Sequence, residues 1–434
     1  MSAPARPSVA ALTAALDALD PARPVSLERA LEVVGRGLTT STRTGHPRYL
    51  GLPHATPLES SALADLLVSV ENPALATFEH APFAALAEAR AAALVGARLG
   101  LPAHHGVFTS GGAESNLSAV LVALAAQPGW RARGVRGLAR EPAIYASHEA
   151  HATVWRAARL AGLGDDAVRG VAVDRAGAMR LDALADALGR DVARGRAPLL
   201  VVATAGTTGS GAFDPLEGAA ALATSRGARL HVDAAWGGLL AFSSAHPAAL
   251  LGLHLADSVA FDPHKALFSP LGTGLFFTRT RAEAHAAFSQ SAPYLPRDDS
   301  RDARAHGLAW SRRFVGLRVL LPLVTEGWRG IEARVDAMLA LGDRLATRLA
   351  AEGMRLGPRS PLPVVTFTGP RPGQDSAQWV DEALAYARAR AGATLAVTRT
   401  PSGARRARAA IVSPHTSAED VDAVAAAVGE LSRR

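Results

Sequence analysis

Ser258-Val-Ala-Phe-Asp-Pro-His-Lys265-Ala-Leu-Phe-Ser-Pro-Leu-Gly-Thr-Gly274 holds the only lysine of a 434-residue chain. Lysine and arginine together number 46, so every other basic side chain is a guanidinium. A guanidinium stays protonated and is a poor carbonyl nucleophile, whereas an ε-amine can be desolvated, deprotonated and condensed with an aldehyde. An amine kept at one place in an otherwise arginine-only chain points to a requirement for the amine itself. The bland alternative is an arginine-biased composition that left one surface lysine by chance.

Working outward, Ser258–Phe261 and Gly274–Thr278 read as strands on either side of that lysine. Upstream, short strands and helices alternate from Val107, the mark of a mainly parallel α/β sheet. Phe108–Asn116 leads into a helix with Leu117, Val120, Leu121 and Leu124 on one face. Strands are expected at Ala143–Ser147, Leu199–Thr204 and Arg229–Asp233. A turn at Gly206–Gly211 and a helix from about Pro215 to Ser225 follow the second of these. Earlier helices are expected at Val9–Leu19, Ser26–Gly35 (with Ser26 as N-cap), Leu58–Val70 and Pro82–Leu99, with His46–His54 as a loop. Beyond Gly327, helices at Ile331–Ala351 and Ser376–Arg390 alternate with strands at Val364–Thr368, Leu395–Thr398 and Arg408–Val412. A last helix begins near Thr416, where Thr416 and Glu419 match a capping box. The expected organisation is an N-terminal helical segment over 1–75, a large sheet domain over 76–326 and a small α+β domain over 327–434.

Composition removes several classes of function. Hydrophobic residues make up 49% and charged ones 20%, enough for a sizeable core. The absence of cysteine excludes disulfides, thiolate metal sites and thiol nucleophiles, and it fits a cytoplasmic protein. The N-terminus has no basic stretch followed by an apolar run, and no apolar run is long enough to span a bilayer, so neither a signal peptide nor a membrane is expected. The net charge of +7 and pI near 10.6 suggest nucleic acid. With one lysine, four tyrosines and no cysteine, however, little titrates at alkaline pH and a small arginine excess raises the pI steeply. The densest cluster, Arg405, Arg406 and Arg408, lacks the interleaved aromatics of a single-strand binder, so no nucleic-acid partner is expected.

Four features carry chemistry. Ser110-Gly-Gly-Ala-Glu-Ser-Asn116 lies between a strand and a helix, where backbone N–H groups and the helix N-terminus suit a phosphate; a plain tight turn would read the same. It matches neither a dinucleotide fingerprint nor a P-loop. His148 and His151 flank Glu149, but H-E-x-H is not the zinc spacing H-E-x-x-H. A histidine stacked on a ligand ring, or a core histidine, is the better reading, and no metal is expected. Asp233 ends an apolar strand, where open α/β sheets bind ligands; it needs a cation or protonated heterocycle as partner, or else caps the next segment. Lys265 follows 32 residues later, directly after His264. Phosphate cradle, ring-facing histidine, strand-end aspartate and lysine are the parts needed to hold pyridoxal 5′-phosphate.

From about His46 to its C-terminus the chain resembles the group II pyridoxal-phosphate-dependent amino-acid decarboxylases, which have the aspartate-aminotransferase fold (fold type I). The resemblance implies a large, mainly parallel seven-stranded sheet with a small α+β C-terminal domain. His46–Tyr49 and Ala76–Glu79 with Pro82 resemble substrate-pocket elements, placing His46, Tyr49, Phe78 and Pro82 near substrate. Ser110–Asn116 resembles the phosphate loop, which gives Ser110, Gly111, Gly112 and Ala113 as cofactor-binding residues, and His151 matches the ring-stacking residue. Ala203–Thr208 with Phe213–Pro215 matches the turn beside the cofactor, which gives Thr208. His231–Ala235 places Asp233 on the pyridine nitrogen and Ala235 against the ring. Asp262-Pro-His264-Lys265 matches the lysine motif, with Ser258 also expected at the cofactor and Arg408 on the substrate α-carboxylate.

The resemblance implies a cytoplasmic homodimer with a shared active site that decarboxylates an L-amino acid to an amine and CO₂ through a Lys265 Schiff base. Lys265, His151, Asp233 and His264 would be catalytic. Two positions depart from the family. Ala113 replaces a Ser or Thr that often bonds the phosphate, and residues 296–309 lack the tyrosine that reprotonates carbon; Tyr294 and His306 are the nearest candidates. That absence keeps open an oxidative deamination giving an aldehyde, with a carbon–carbon lyase, an aminotransferase or a non-catalytic dimeric pseudo-enzyme as further alternatives. Phe78, His80, His46, Tyr49 and Trp236 could line a pocket for an aromatic substrate, while arginines from a partner subunit could equally serve an acidic one.

Overall fold

The computed structural model describes residues 7–291, 293, 301–369 and 376–433. Its centre is a seven-stranded sheet: β1 (His105–Thr109), β2 (Pro142–Ser147), β3 (Val168–Val171), β4 (Ala197–Thr204), β5 (Arg229–Asp233), β6 (Ser258–Phe261) and β7 (Gly274–Thr278), in the order β1-β7-β6-β5-β4-β2-β3. The pairs among β2 to β6 are parallel, and β7 alone runs antiparallel to its neighbours β1 and β6. Strands covered on both faces need continuous apolar runs rather than alternation, and Leu199–Ala203 and Ser258–Phe261 are buried throughout. Register pairs Thr204 with Asp233 and Asp233 with Ala260. The residues just beyond these strands therefore gather along one edge of the sheet, where ligands bind in open α/β folds.

The helix α1 (Gly112–Ala125) differs from its expected single face. Val120 and Leu124 are buried as expected, but Leu117 and Leu121 are only half-buried, while Ala119, Val122 and Ala123 are buried too. The helix lies between the sheet and the helices Thr153–Leu160 and Arg281–Phe288, so it is enclosed on several sides. Strand β3 escaped the sequence reading because Arg169 and Gly170 interrupt its apolar residues.

The C-terminal part carries a four-stranded antiparallel sheet of β8 (Arg355–Leu356), β9 (Val364–Thr368), β10 (Ala396–Arg399) and β11 (Arg405–Ala410), ordered β8-β9-β11-β10. The helix expected at Ile331–Ala351 is the second part of a longer one, Leu317–Ala351, interrupted at Gly327 by a left-handed φ of 64°. The expected capping box shifts by one residue. Ser417 Oγ accepts from Asp420 N (3.2 Å) and Asp420 Oδ2 accepts from Ser417 N (3.0 Å), while Thr416 Oγ1 donates to Pro47 O (2.6 Å). Thr416 is therefore a tertiary contact to the His46–His54 loop. That loop threads the small sheet: Leu50 N donates to Thr394 O (2.8 Å) and Ala410 N donates to Leu50 O (3.0 Å). Among the described residues no helix is long and apolar enough to cross a membrane.

Candidate active site

Asp233 ends β5 at 7% exposure. Its Oδ1 accepts from Ala235 N (3.1 Å) and its Oδ2 from Asn116 Nδ2 (2.9 Å), one turn into α1. Lys265 rises from the short helical turn Pro263–Ala266 that follows β6, and its Nζ lies 2.8 Å from Asp262 Oδ2. Burial opposes the lysine charge, but the charge and hydrogen bond of Asp262, with Asp233 adding, hold its pKa above the ordinary value. The free amine is thus an ammonium, half-buried and paired with a buried carboxylate. Asp262 is 1% exposed, and its Oδ1 is buried without a hydrogen-bond partner. His264 Nδ1 donates to Thr273 O (2.7 Å); burial lowers its pKa, Asp262 opposing and Lys265 reinforcing.

The glycines of the turn are required by close approach. Gly111 has φ 145°, and a Cβ there would sit 3.1 Å from His264 Cε1; one on Gly112 would sit 3.1 Å from Ala235 Cβ and 3.3 Å from Asp262 Oδ2. On Gly274 a Cβ would come 2.5 Å from Gly111 Cα, so β7 presses directly on the turn. The N-terminus of α1 opens onto a cavity of about 260 Å³ lined by Ser110–Ala113, Asn116, His151, Thr208, Asp233, Ala235, Trp236, Asp262, His264 and Lys265. Ser110 N already donates to Glu114 Oε2 (2.8 Å), which removes one N–H from those available to an anion.

Most predicted residues therefore meet at one cavity, with His151 exposed on its open side. Ser258 does not line it; its Oγ bonds His231 Nδ1 (2.9 Å) behind Asp233. Arg408 on β11 lies against Trp236, its guanidinium 5.5 Å from the ring centre, at 1% exposure. Its Nη1 donates to Gly51 O (2.8 Å), while Nε and Nη2 are buried without partners. Burial pushes the Arg408 pKa down to about 10, with Tyr49 opposing. Tyr49 is buried and its hydroxyl accepts from Leu52 N (3.1 Å); His46 is exposed. Phe78 lies beneath Arg301, whose guanidinium is 3.5 Å from the ring centre, and Pro82 is exposed at the start of its helix, so neither lines the cavity. His306 is buried against His105, their rings 5.0 Å apart, and Tyr294 lies outside the described residues.

Sequence reasoning assigned no role to Asn116, His231 and Asp262, though each lay in a motif it singled out, and none to Thr153. Signals existed for two of them: His231 lies two residues before Asp233 on the same face of β5, and Asp262 lies one helical turn before Lys265.

The fit to pyridoxal 5′-phosphate rests on three observations: a cradle with no room for side chains, the orphaned Asp262 Oδ1 beside the amine, and a strand-end carboxylate aimed at the same cavity. The comparisons agree. The family model described as "Pyridoxal-dependent decarboxylase conserved domain" matches residues 11–367. The chain is 33% identical to L-2,4-diaminobutyrate decarboxylase of Rhizobium meliloti, over 96% of this chain and 85% of the relative. It is 35% identical to human cysteine sulfinic acid decarboxylase, over 73% of this chain and 66% of that protein, just under two thirds of its length. The crystal structure of mouse CSAD superposes with a TM-score of 0.91 at 28% identity, covering 98% of this chain and 92% of the other.

Proposed function

Because this chain belongs to the pyridoxal-dependent decarboxylase family, we propose that the Lys265 cavity removes the α-carboxylate of an L-amino acid with pyridoxal 5′-phosphate bound in it. The observation that carries this reading is the Lys265–Asp262 pair at 2.8 Å, set between the glycine cradle and Asp233. When bound, the cofactor supplies an electron sink for the electrons left behind as CO₂ departs. The residues divide the remaining work. The N–H groups of Gly112 and Ala113 at the start of α1 hold the phosphate, and Asp233 keeps a proton on the ring nitrogen. His151 covers one ring face, and Ala235 closes the other side. Lys265 binds the cofactor through its amine and afterwards moves protons at the reacting carbon, with Asp262 and His264 beside it. Arg408 is not itself among the lining residues but lies against the lining Trp236, and its unpartnered Nε and Nη2 form a fork suited to bidentate binding of the substrate carboxylate.

The substrate is an amino acid with a short polar side chain. The relatives are named for diaminobutyrate and cysteine sulfinic acid, both amino acids with short polar side chains. The working form is a homodimer in a reducing compartment such as the cytoplasm. Supporting the dimer, Leu63, Leu66, Leu67 and Val70 on the helix Glu59–Glu71 and Phe83 and Leu86 on the helix Pro82–Arg98 expose apolar side chains, an unusual concentration for a free surface.

A screen of L-amino acids for CO₂ release, with amine and aldehyde quantified, tests the reaction. Lys265→Ala is expected to abolish both turnover and the visible absorbance of a lysine-bound cofactor. A colourless protein that takes up no pyridoxal 5′-phosphate would sink this reading. A second reading, decarboxylation with oxidative deamination in which dioxygen is reduced to peroxide and the amino group leaves as ammonia to give an aldehyde, is favoured by the absence of tyrosine from 296–309, and oxygen uptake with peroxide formation distinguishes it.

A further inference from the structure

From behind Asp233 to the open side of the cavity, the side chains of Ser258, His231, Asn116, Thr153 and His151 form one unbroken chain of hydrogen bonds, and Asp233 joins it at Asn116. The contacts are Ser258 Oγ to His231 Nδ1 (2.9 Å), His231 Nε2 to Asn116 Oδ1 (2.9 Å), Asn116 Nδ2 to Thr153 Oγ1 and to Asp233 Oδ2 (both 2.9 Å), and Thr153 Oγ1 to His151 Nδ1 (2.8 Å). His231 and Asn116 are buried, at 1% and 3% exposure.

The direction of every proton in this chain follows from donors that have no choice. The backbone N–H of Thr153 donates to His151 Nδ1 (3.3 Å), so that nitrogen is an acceptor and the neutral ring carries its proton on Nε2. The Thr153 hydroxyl, donating to the same nitrogen, accepts from Asn116. The amide directs its two N–H bonds to Thr153 and Asp233, and its oxygen is left to accept from His231 Nε2. Burial keeps His231 neutral, with Asp233 and Ser258 opposing, and its Nδ1 accepts from the Ser258 hydroxyl.

We infer that Asn116 is a positioning residue that sets the proton arrangement of the whole site. It donates to Asp233 Oδ2 at the cavity and, by donating to Thr153 Oγ1, turns the Thr153 hydroxyl proton toward His151 Nδ1, reinforcing the acceptor role that the Thr153 N–H gives that nitrogen. An N–H donor lowers the proton affinity of the carboxylate it faces. With Asn116 present, the proton between Asp233 and the ring nitrogen stays on the ring; without it, the proton moves toward Asp233. This second half rests on the reading of the cavity as a pyridoxal 5′-phosphate site, and the His151 half does not.

Long-range ¹⁵N–¹H spectra of cofactor-free protein labelled at histidine, with His151→Gln for assignment, are expected to show His151 protonated on Nε2. A proton on Nδ1 overturns the inference without any folding question. In the holoenzyme of Asn116→Leu loaded with ring-¹⁵N cofactor, the nitrogen resonance is expected to move from the protonated toward the unprotonated position. Loss of a hydrogen bond to a charged group predicts that kcat falls about 10- to 100-fold with KM little changed. An unchanged nitrogen resonance in a folded, cofactor-bearing Asn116→Leu overturns the inference as well. A wild-type protein that binds no cofactor but shows the expected tautomer refutes the proposed function and leaves the His151 assignment standing.

Discussion

Among single residues, Arg408 presents an unusual cost. A buried guanidinium with two unpartnered nitrogens is expensive unless a ligand completes it, and burial already draws its pKa down to about 10. Arg408→Leu is therefore expected to leave stability equal or slightly higher while KM rises about tenfold or more, since a charged hydrogen-bond partner of the substrate is lost. Arg408→Lys is expected to rescue little, because a point charge cannot reproduce the planar fork. Urea unfolding and steady-state kinetics on the two variants check both halves. Lys265 and Asp233 were legible in the sequence because chemistry restricts which residue types can fill their roles. Asn116 and Thr153 were not. Their importance lies in contacts to Asp233 and His151, residues 117 and 2 positions away, and nothing in a polar side chain near a helix start distinguishes such a contact from a solvated one.

At the level of elements, the turn before α1 is shaped from outside by β7. A Cβ on Gly274 would meet the Gly111 backbone, 2.5 Å from its Cα and 2.6 Å from its N, as well as Thr109 Oγ1 at 2.5 Å. Gly274→Ala is expected to cost about 1–3 kcal/mol of stability through overpacking. It is also expected to weaken cofactor retention by displacing Gly111, measurable as the cofactor concentration needed to restore absorbance. A variant with native stability and native retention would refute this account of the cradle. Strands and helices of the sheet were readable from apolar runs bounded by Gly, Pro and Asp. The failures have two causes: β3 is short and interrupted within its own sequence, whereas the capping box at Thr416 was claimed by Pro47 and α1 is enclosed by two other helices, each decided by a neighbour distant in sequence.

For the molecule as a whole, buried titrating groups set the pH dependence of stability. Burial lowers the His105 pKa to about 3, with His306 and Arg281 adding, and lowers His231 to about 4. Both rings are neutral when folded and take up protons when unfolded near their ordinary value of 6.5, so stability is lost as pH falls from there toward 3 to 4. Asp214 acts in the opposite sense. Burial raises its pKa to about 6 against the donors Thr204 N and Met179 N, so the folded chain keeps a proton that the unfolded chain releases near 3.8, and stability falls as pH rises between those values. Each such group contributes a slope of about 1.4 kcal/mol per pH unit inside its window. Two histidines outweigh one aspartate, so stability should rise with pH from about 4 to 6. His105→Phe should flatten that rise and Asp214→Asn should steepen it, as read by urea unfolding across the window. Equal slopes in all three proteins would show that these groups do not control it.

The isolation of Lys265 has a practical consequence. A protease that cuts only after lysine has one possible target in the chain, and its products would be 1–265 and 266–434. That target is a turn packed between β6 and the glycine cradle, with its side chain tied to Asp262. Digestion is therefore a clock for opening of the active site, read from a single cut, and cofactor bound to the same amine should stop it.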